Sequence, residues 1–417
     1  MYESFGIPRS LVNLKETAEK ALRDEFNTLD TIKEHNQLKV IKAMQTHRLA
    51  EYDFNWTTGY GYHDIGRDKV ESIYGTLMGT EDALVRPQIV SGTHAISLAL
   101  WGVLRPGDHM LCITGEPYDT LREVIGTRGA TDSSLMAFGI AFHALDLTRE
   151  GQFDEAGILQ FLMKQQVKMV YVQRSGGYST RGALTIQMIG DIIKSIKNHH
   201  PDVMVMVDNC YGEFIEILEP TQVGADLIAG SLIKNPGGGL ALSGGYIAGK
   251  KEWVTRAAER LTAPGLAKEV GTTFGQTRSV LQGLFLAPGV VNAALKGALL
   301  LGYMAQSLGY EIVPKIKDKR SDIIQGIVLK DPLKVRKFCQ GVQNAAPVDA
   351  HVHLEPWAMP GYQSPVIMAA GTFVQGSSIE LSADAPMREP YTVYFQGGLT
   401  YEHSKLGALM GLASIME

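Results

Sequence analysis

The amino-acid sequence predicts an α/β fold with a mostly parallel sheet, followed by a smaller α+β unit. From residue 83 to about residue 250, short apolar runs alternate with amphipathic segments of helical period, the pattern of strands joined by helices in a parallel sheet. The run 203–208 is almost continuously apolar, as expected of a strand buried on both faces. After about residue 285 the pattern changes to helices and short strands separated by turns, which favours antiparallel pairing.

The chain begins with helical patterns. Residues 9–52 carry apolar side chains every three or four positions, and Ser10 is a plausible N-cap. The Gly–Tyr alternation in residues 58–62 is incompatible with a helix and predicts a loop, after which Asp68 opens the next helix. Three segments then repeat the order strand, turn, helix, and they span residues 83–104, 108–126 and 168–200.

The remaining elements follow from the same patterns. Short strands are predicted before and after Lys234, and a long apolar helix is predicted over about 290–308. Further helices are predicted near 331–345 and at the C-terminal end, with short strands between them. We therefore expect an N-terminal helical segment (1–60), a large domain (61–285) and a small C-terminal domain (286–417).

Composition excludes several classes of protein. The chain has 417 residues, 45% hydrophobic and 20% charged, with a formal net charge of -5, so neither nucleic acid nor an anionic membrane is an expected partner. Its three cysteines are far apart and form no CxxC pair, which argues against a disulfide framework or a zinc ribbon and fits a reducing cytosol. The N-terminal residues show no signal-peptide pattern, so we expect a cytoplasmic protein. The apolar stretch near 290–310 resembles a membrane span, but Lys296 and several glycines favour a buried helix.

A single lysine, Lys234, lies in the glycine-rich stretch "GSLIKNPGGG" directly after a predicted strand. Glycine lets the backbone come close to a bulky group, and a buried lysine with a depressed pKa is a nucleophile that can form a Schiff base. Asp208 ends the strand "VMVMVD", where a carboxylate is able to hold a pyridinium nitrogen protonated. The alternatives are a surface lysine in a turn and, for Asp208, the cap of a helix that starts at Tyr211.

Two further turns follow strands and complete the pattern. In "SGTHA", Gly92 and Thr93 stand between a strand and a helix, where backbone N–H groups bind a phosphate. Ser231, three residues before the lysine, could add its hydroxyl to the same phosphate, and Tyr118 could stack on a ring. Because ligands bind at the carboxyl ends of parallel strands, these groups are expected to converge. Together they describe a pyridoxal 5'-phosphate (PLP) site.

The order of these motifs resembles the PLP-dependent fold-type I enzymes, the aspartate aminotransferase superfamily, and within it the cystathionine and methionine lyases. More narrowly, "TGYGYHDIGRDKVESIYG", "QRSGGYSTR", "VDNCYGEF" and "QGSSIELSADAPMREPYTVYFQGGLTYEH" look like the bacterial methionine gamma-lyase-like group often labelled aluminium-resistance protein. The resemblance covers nearly the whole chain. It implies a large domain of the PLP-dependent transferase type with a smaller α+β domain. The matching positions are Lys234 as the Schiff-base lysine, Asp208 as the pyridinium partner, Gly92, Thr93 and Ser231 around the phosphate, and Tyr118 as the stacking aromatic residue.

The resemblance also implies shared active sites. In these lyases a tyrosine and an arginine before the first strand reach the phosphate of the neighbouring subunit, and here Tyr60 or Tyr62 with Arg67 occupy that region at a different spacing. We therefore expect a homodimer or homotetramer. The alternative is that the two tyrosines only pack within their loop.

The candidate partners of the substrate carboxylate depart from the pattern of the resembled lyases. The lyases clamp it with an arginine of the C-terminal domain, but the corresponding strand "YTVYFQGG" has none, and Arg388 just upstream is the candidate. Arg174 and Arg181 flank a Gly–Gly loop and are further candidates for the substrate or the cofactor ring. No metal is expected, because His351 and His353 share a strand face without an obvious third ligand.

The sequence thus predicts a PLP-dependent carbon–sulfur lyase acting on a sulfur-containing amino acid, with Lys234 and Tyr118 as catalytic residues. The elimination is of the methionine gamma-lyase or cystathionine beta-lyase type. An aminotransferase or aldolase on the same scaffold stays open because fold does not determine reaction. A PLP-binding resistance or regulatory protein with weak chemistry is the non-enzyme alternative.

Overall fold

The computed structural model describes residues 1–58, 60, 62–129, 132–179 and 181–416. The N-terminal part consists of two successive helices, α1 (Arg9–Ala21) and α2 (Arg23–Thr46), and α3 (Ile65–Met78) follows after a loop. Ser10 lies inside α1, so its predicted role as N-cap is wrong. Asp68 lies inside α3, and the cap is Asp64, whose side chain accepts a hydrogen bond from the backbone N–H of Arg67.

A seven-stranded sheet forms the larger part of the protein. Its strands are β1 (Asp82–Arg86), β2 (His109–Cys112), β3 (Ala141–Ala144), β4 (Met169–Gln173), β5 (Met204–Asp208), β6 (Leu227–Ser231) and β7 (Gly245–Gly249). The helices between and after them are α4 (Gly92–Val103), α5 (Asp119–Ile125), α6 (Glu155–Lys164), α7 (Ile186–His199) and α8 (Lys251–Leu261).

The strand order is β1-β7-β6-β5-β4-β2-β3, and β7 alone runs antiparallel to its neighbours. The predicted mostly parallel sheet is therefore confirmed. Strands β4 to β7 are buried along their whole length, as the apolar run of β5 predicts. Two buried clusters cover the two faces of this sheet, one rich in α3 and α7 residues and the other in α4 residues.

One long helix, α9 (Thr277–Ser307), connects the two sheets and is thirteen residues longer at its start than predicted. By length and composition α9 could cross a membrane, but 78% of its most apolar window is buried inside the protein. It packs against α1 and α2, which agrees with the predicted buried helix. The predicted domain boundary at 285/286 falls inside α9, so the division into domains stays a proposal.

The C-terminal part carries a five-stranded sheet in which all neighbours are antiparallel, in the order β10-β11-β12-β9-β8. This confirms the predicted smaller α+β unit. Its core joins residues of α1, α9 and the C-terminal helix. The elements are β8 (Glu311–Val313), β9 (Gln325–Val328), α10 (Pro332–Asn344), β10 (Val366–Ala369), β11 (Ser382–Pro386), β12 (Thr392–Gln396) and α11 (Tyr401–Met416).

Candidate active site

A cavity of about 660 Å³ lies at the carboxyl ends of β4, β5 and β6. The last residue of each strand lines it: Gln173, Asp208 and Ser231. Strand register explains the convergence, because Gln173 pairs with Asp208 across β4 and β5. Lys234, three residues beyond β6, also lines the cavity. The structure therefore brings together side chains that are up to 61 residues apart in the chain.

The N-terminus of α4 forms one end of the cavity. The N-cap of α4 is Ser91. Its side-chain hydroxyl accepts a hydrogen bond from the backbone N–H of His94, and its carbonyl oxygen accepts one from the backbone N–H of Ala95. The N–H groups of Gly92 and Thr93 in the first turn have no acceptor within the helix and are suited to an anion.

Gly92 is required here by close approach. A Cβ at this position would lie 3.0 Å from Cys210 Sγ and 3.5 Å from Ser231 Cβ. The absence of a side chain leaves a cradle between the helix start and the Ser231 strand end, which suits a group with several acceptor oxygens.

Tyr118 stands beside this cradle. Its hydroxyl is 3.0 Å from Thr93 Oγ1, and its backbone N–H donates to Gln173 Oε1 at 3.0 Å. Burial raises the pKa of Tyr118 well above its usual value, and the Asp208 carboxylate raises it further. The phenol is therefore protonated at neutral pH and available as a hydrogen-bond donor.

Asp208 lies at the floor of the cavity with 4% of its surface exposed. Its Oδ1 accepts the backbone N–H of Cys210 at 3.0 Å, and its Oδ2 accepts the Tyr171 hydroxyl at 3.3 Å. Burial raises the pKa of the carboxyl group, and Lys234 opposes this rise. No helix starts at Tyr211, which has a positive φ of 71°, so the alternative reading of Asp208 as a helix cap is wrong.

Lys234 faces the same space. Its Nζ lies 3.8 Å from the centre of the Tyr211 ring and 4.0 Å from the Cβ position of Gly92. Burial lowers the pKa of Lys234, but the surrounding Cys210, Tyr211 and Asp208 raise it more, so its pKa is above the ordinary value. A depressed pKa was expected for Lys234. That expectation is wrong within this chain, because the neighbouring acidic groups raise the pKa more than burial lowers it.

Tyr60, Tyr62 and Arg67, the three candidates before the first strand, do not line the cavity of their own chain. Tyr60 and Tyr62 are 83% and 66% exposed. Arg67 is only 2% exposed, and its guanidinium donates to the carbonyl oxygens of Glu269 and Gly271. Arg67 is thus held by the backbone of its own chain, and its contact with the phosphate of a neighbouring subunit stays a prediction.

The three candidate arginines have different positions. Arg181 and Arg388 line the cavity, whereas Arg174 does not and is fully buried. The Arg174 guanidinium binds Asn209 Oδ1 at 2.7 Å and lies 3.3 Å and 3.7 Å from the Glu216 and Glu219 carboxylates. The proposal that Arg174 contacts the substrate is corrected: its charge is needed by two buried or partly buried carboxylates.

Arg181 is partly occupied, because its guanidinium donates to the carbonyl oxygens of Gln173 and Ser175 at 2.8 Å. Arg388 is exposed, and its side chain makes no hydrogen bond or ion pair within residues 1–58, 60, 62–129, 132–179 and 181–416. Arg388 is therefore the better placed of the two for a carboxylate.

Several cavity residues were not found from the sequence. Tyr211 lies under Lys234 because the turn after β5 adopts a positive φ, which no local pattern predicts. The small-domain wall depends on the packing of two distant parts of the chain. It comprises Tyr362, Tyr394 and Gln396, opposite Tyr178.

The histidine pair of "HVHLEP" does not form a metal site in the structure. His353 lies 3.4 Å from Glu355 on the surface. Among the described residues, no group of three or more His, Cys, Asp or Glu side chains is arranged to hold a metal ion.

Comparison with known proteins identifies the class. The family model described as methionine gamma-lyase matches residues 11–416. A carbon–sulfur lyase involved in aluminium resistance from Clostridium novyi NT is 49% identical and has a TM-score of 0.95, with 99% of this chain and 97% of that chain covered. An uncharacterized Bacillus subtilis protein, YnbB, is 48% identical over 97% of both chains. The PLP-dependent protein YhfS of Escherichia coli, 18% identical, shares the fold with a TM-score of 0.62 over 93% of this chain and 97% of that chain.

The fold, the cavity and the family match define a PLP-dependent enzyme of fold type I. The chain belongs to the methionine gamma-lyase family and is a PLP-dependent lyase.

The residues present fit this cofactor. The cradle that a Cβ at Gly92 would fill matches a phosphate, with Thr93 and Ser231 as hydroxyl donors. A buried carboxylate, Asp208, and an amine, Lys234, complete the set on the same cavity.

Arg174→Met is expected to reduce stability rather than substrate binding. It leaves the Glu216 and Glu219 carboxylates without their cation, a loss typically worth about 3–5 kcal/mol. The free energy of unfolding, measured by urea denaturation, should fall. Arg149→Met at an exposed position should change that free energy by less than about 0.5 kcal/mol. If Arg174→Met were as stable as the parent and only its KM rose, the prediction would be wrong and Arg174 would be a substrate-binding residue.

Proposed function

We propose that this protein is a carbon–sulfur lyase that eliminates a thiol from a sulfur-containing amino acid. The observation that carries the proposal is the convergence of Lys234, Asp208 and the Gly92 cradle on one cavity, within a chain of this lyase family. The Clostridium novyi relative is named a carbon–sulfur lyase, which supports this chemistry.

Each part of the cavity has a distinct task in this proposal. Gly92, Thr93 and Ser231 would hold the phosphate, and Tyr118 would contact the ring. Asp208 would be the charged partner of the ring nitrogen. When bound, PLP supplies a carbonyl group that captures amines and a ring that accepts electrons from the substrate's α-carbon.

The protein's own residues then handle protons. The Lys234 amine removes the proton from the substrate Cα, and the Tyr211 ring below it limits the directions in which the amine can move. Tyr118, whose raised pKa keeps it protonated, is the proposed acid at the departing sulfur. Arg388 and, through its remaining donors, Arg181 bind the substrate carboxylate.

The site also suggests an assembly. Tyr60 and Tyr62 are exposed and are not among the residues that line the described cavity, so we propose that they reach the phosphate site of a second copy. Such exchange requires a closed dimer, with a homotetramer as a pair of dimers.

We propose a cytoplasmic location, on the basis of the spaced, free cysteines.

The reaction is tested with purified holoenzyme and methionine, cystathionine and homocysteine. Release of a thiol with a keto acid supports the lyase. Transfer of the amino group without thiol release would identify an aminotransferase, and bound cofactor without turnover of any of the three would identify a binding protein.

Lys234→Ala is expected to abolish both covalent cofactor attachment and thiol release, because the nucleophilic amine is gone. Borohydride reduction followed by intact-mass measurement should show the added cofactor mass on the parent only. Lys250, directly after β7, is more than half exposed, and the Lys250→Ala variant should retain the added cofactor mass. Cofactor attached to the Lys234→Ala variant would contradict the assignment.

Asp208→Asn is expected to fold and bind the cofactor but to lose about a thousandfold in kcat, or ~4 kcal/mol, because the amide cannot hold the ring nitrogen protonated. Steady-state kinetics measure the loss, and Asp191→Asn on the surface is the matched control. A rate within about threefold of the parent would exclude Asp208 as the ring partner.

Hybrid dimers test the assembly. A subunit with Tyr60→Ala and Tyr62→Ala, mixed with a Lys234→Ala subunit, is expected to regain activity that neither variant has alone. One site of each hybrid then has an intact lysine from one chain and intact tyrosines from the other. Verified hybrids without activity, or an active monomer in sedimentation, would show that the tyrosines do not cross.

A further inference from the structure

The small-domain side of the cavity has a chemical character of its own. Gln396, the last residue of β12, lines the cavity and is 2% exposed. Tyr362 and Tyr394 line it from the same side, and Tyr178 faces them from the loop after β4. We call Gln396 and these three tyrosines the tyrosine–glutamine wall.

Asp384 of β11 lies behind this wall. Its Oδ2 accepts hydrogen bonds from Gln396 Nε2 at 3.0 Å and from the Tyr178 hydroxyl at 3.2 Å. These two bonds fix the orientation of the Gln396 amide and direct donors of the wall toward the carboxylate.

Two acceptor oxygens among these residues lack a donor. Gln396 Oε1 and Asp384 Oδ1 are buried and have no donor within the part of the chain that the structure describes. Unpaired buried oxygens of this kind are costly, so a partner from a ligand would stabilise them. Both oxygens are closed off from water in this structure, so a ligand group that reaches them must donate hydrogen bonds.

Charge and aromatic rings favour a cation as that donor. Asp384 is buried, and it makes no ion pair with any described residue. Burial raises the pKa of Asp384 to about 7 although Lys234 acts to lower it, and a closer cation would lower it further. The Tyr178 ring centre lies 5.2 Å from that of Tyr394 and 6.0 Å from that of Tyr362, and tyrosine rings attract ammonium groups.

We propose that the tyrosine–glutamine wall, with Asp384 behind it, binds an ammonium group at the far end of the substrate's sulfur substituent. This proposal rests on the proposed lyase function and narrows its substrate class to thioether amino acids with a cationic terminus. An apolar terminus leaves the two acceptor oxygens unpaired and is selected against.

The test uses two ligands of equal length, S-(2-aminoethyl)cysteine and S-propylcysteine, which differ only in a terminal ammonium or methyl group. Dissociation constants are measured with the holoenzyme from the change in the cofactor's visible absorption, and thiol release is followed in parallel. We expect the aminoethyl compound to bind at least about tenfold more tightly. Equal or weaker binding of the aminoethyl compound would overturn the proposal.

Gln396→Leu and Asp384→Asn are expected to bring the ratio of the two dissociation constants close to one. Gln306→Leu, exposed on α9, is the matched control and should keep the parent ratio. If Gln396→Leu does not fold, Asp384→Asn still removes the charge while keeping the shape. A parent ratio retained in Asp384→Asn would overturn the role of the wall.

The two proposals fail in different ways. Thiol release from both ligands at similar binding strength would contradict the wall and leave the lyase function intact. Selective binding of the aminoethyl compound without release of any thiol would support the wall and contradict the lyase function.

Discussion

The active site depends on a carboxylate, Asp208, that is held at the buried carboxyl end of β5. A buried carboxylate is stable only with donors and a nearby cation, and here the Cys210 N–H, the Tyr171 hydroxyl and Lys234 provide them. Strand register then fixes the distance from Asp208 to Gln173 and to the end of β6. The phosphate cradle and the lysine turn take their positions from these strand ends, so the sheet itself sets the spacing of the cofactor-binding groups.

A second layer ties this sheet edge to the small domain. Arg174 binds Asn209 next to Asp208, and its Nε donates to Ser321 Oγ, which comes from the segment before β9. Asp322 in turn accepts hydrogen bonds from Ser175 and from the Gly176 N–H, at the start of the loop that carries Tyr178. Removal of Arg174 is therefore expected to loosen both the strand end and the small-domain contact, although Arg174 does not itself line the cavity.

The sequence was sufficient for the parts of the site that follow a strand directly. Apolar runs predict β5 and β6, so the positions of Asp208 and Lys234 at the sheet edge could be inferred from local pattern. Arg174 and Arg181 could not be told apart, because their directions depend on a loop whose shape is set by Asp322, far along the chain. The contacts of Arg67 could not be inferred for the same reason: its carbonyl partners at 269 and 271 are about two hundred residues away. No local pattern marked Gln396 and Asp384 as site residues, because they join the site only when β11 and β12 pack against Tyr178.

In the proposed function the two sheets have separate tasks. The proposed phosphate cradle, Asp208 and Lys234 lie at the carboxyl edge of the seven-stranded sheet, whereas Gln396 and Tyr394 belong to the smaller sheet and Arg388 lies between its strands β11 and β12. Changes in β11 and β12 alter the charge that faces the substrate without moving the strand ends that hold the cofactor. Strand β12 carries no arginine in "YTVYFQGG", and the Gln396 Oε1 at its end has no donor among the described residues. In the two proposals, Arg388 binds the substrate carboxylate and the tyrosine–glutamine wall binds a positively charged group.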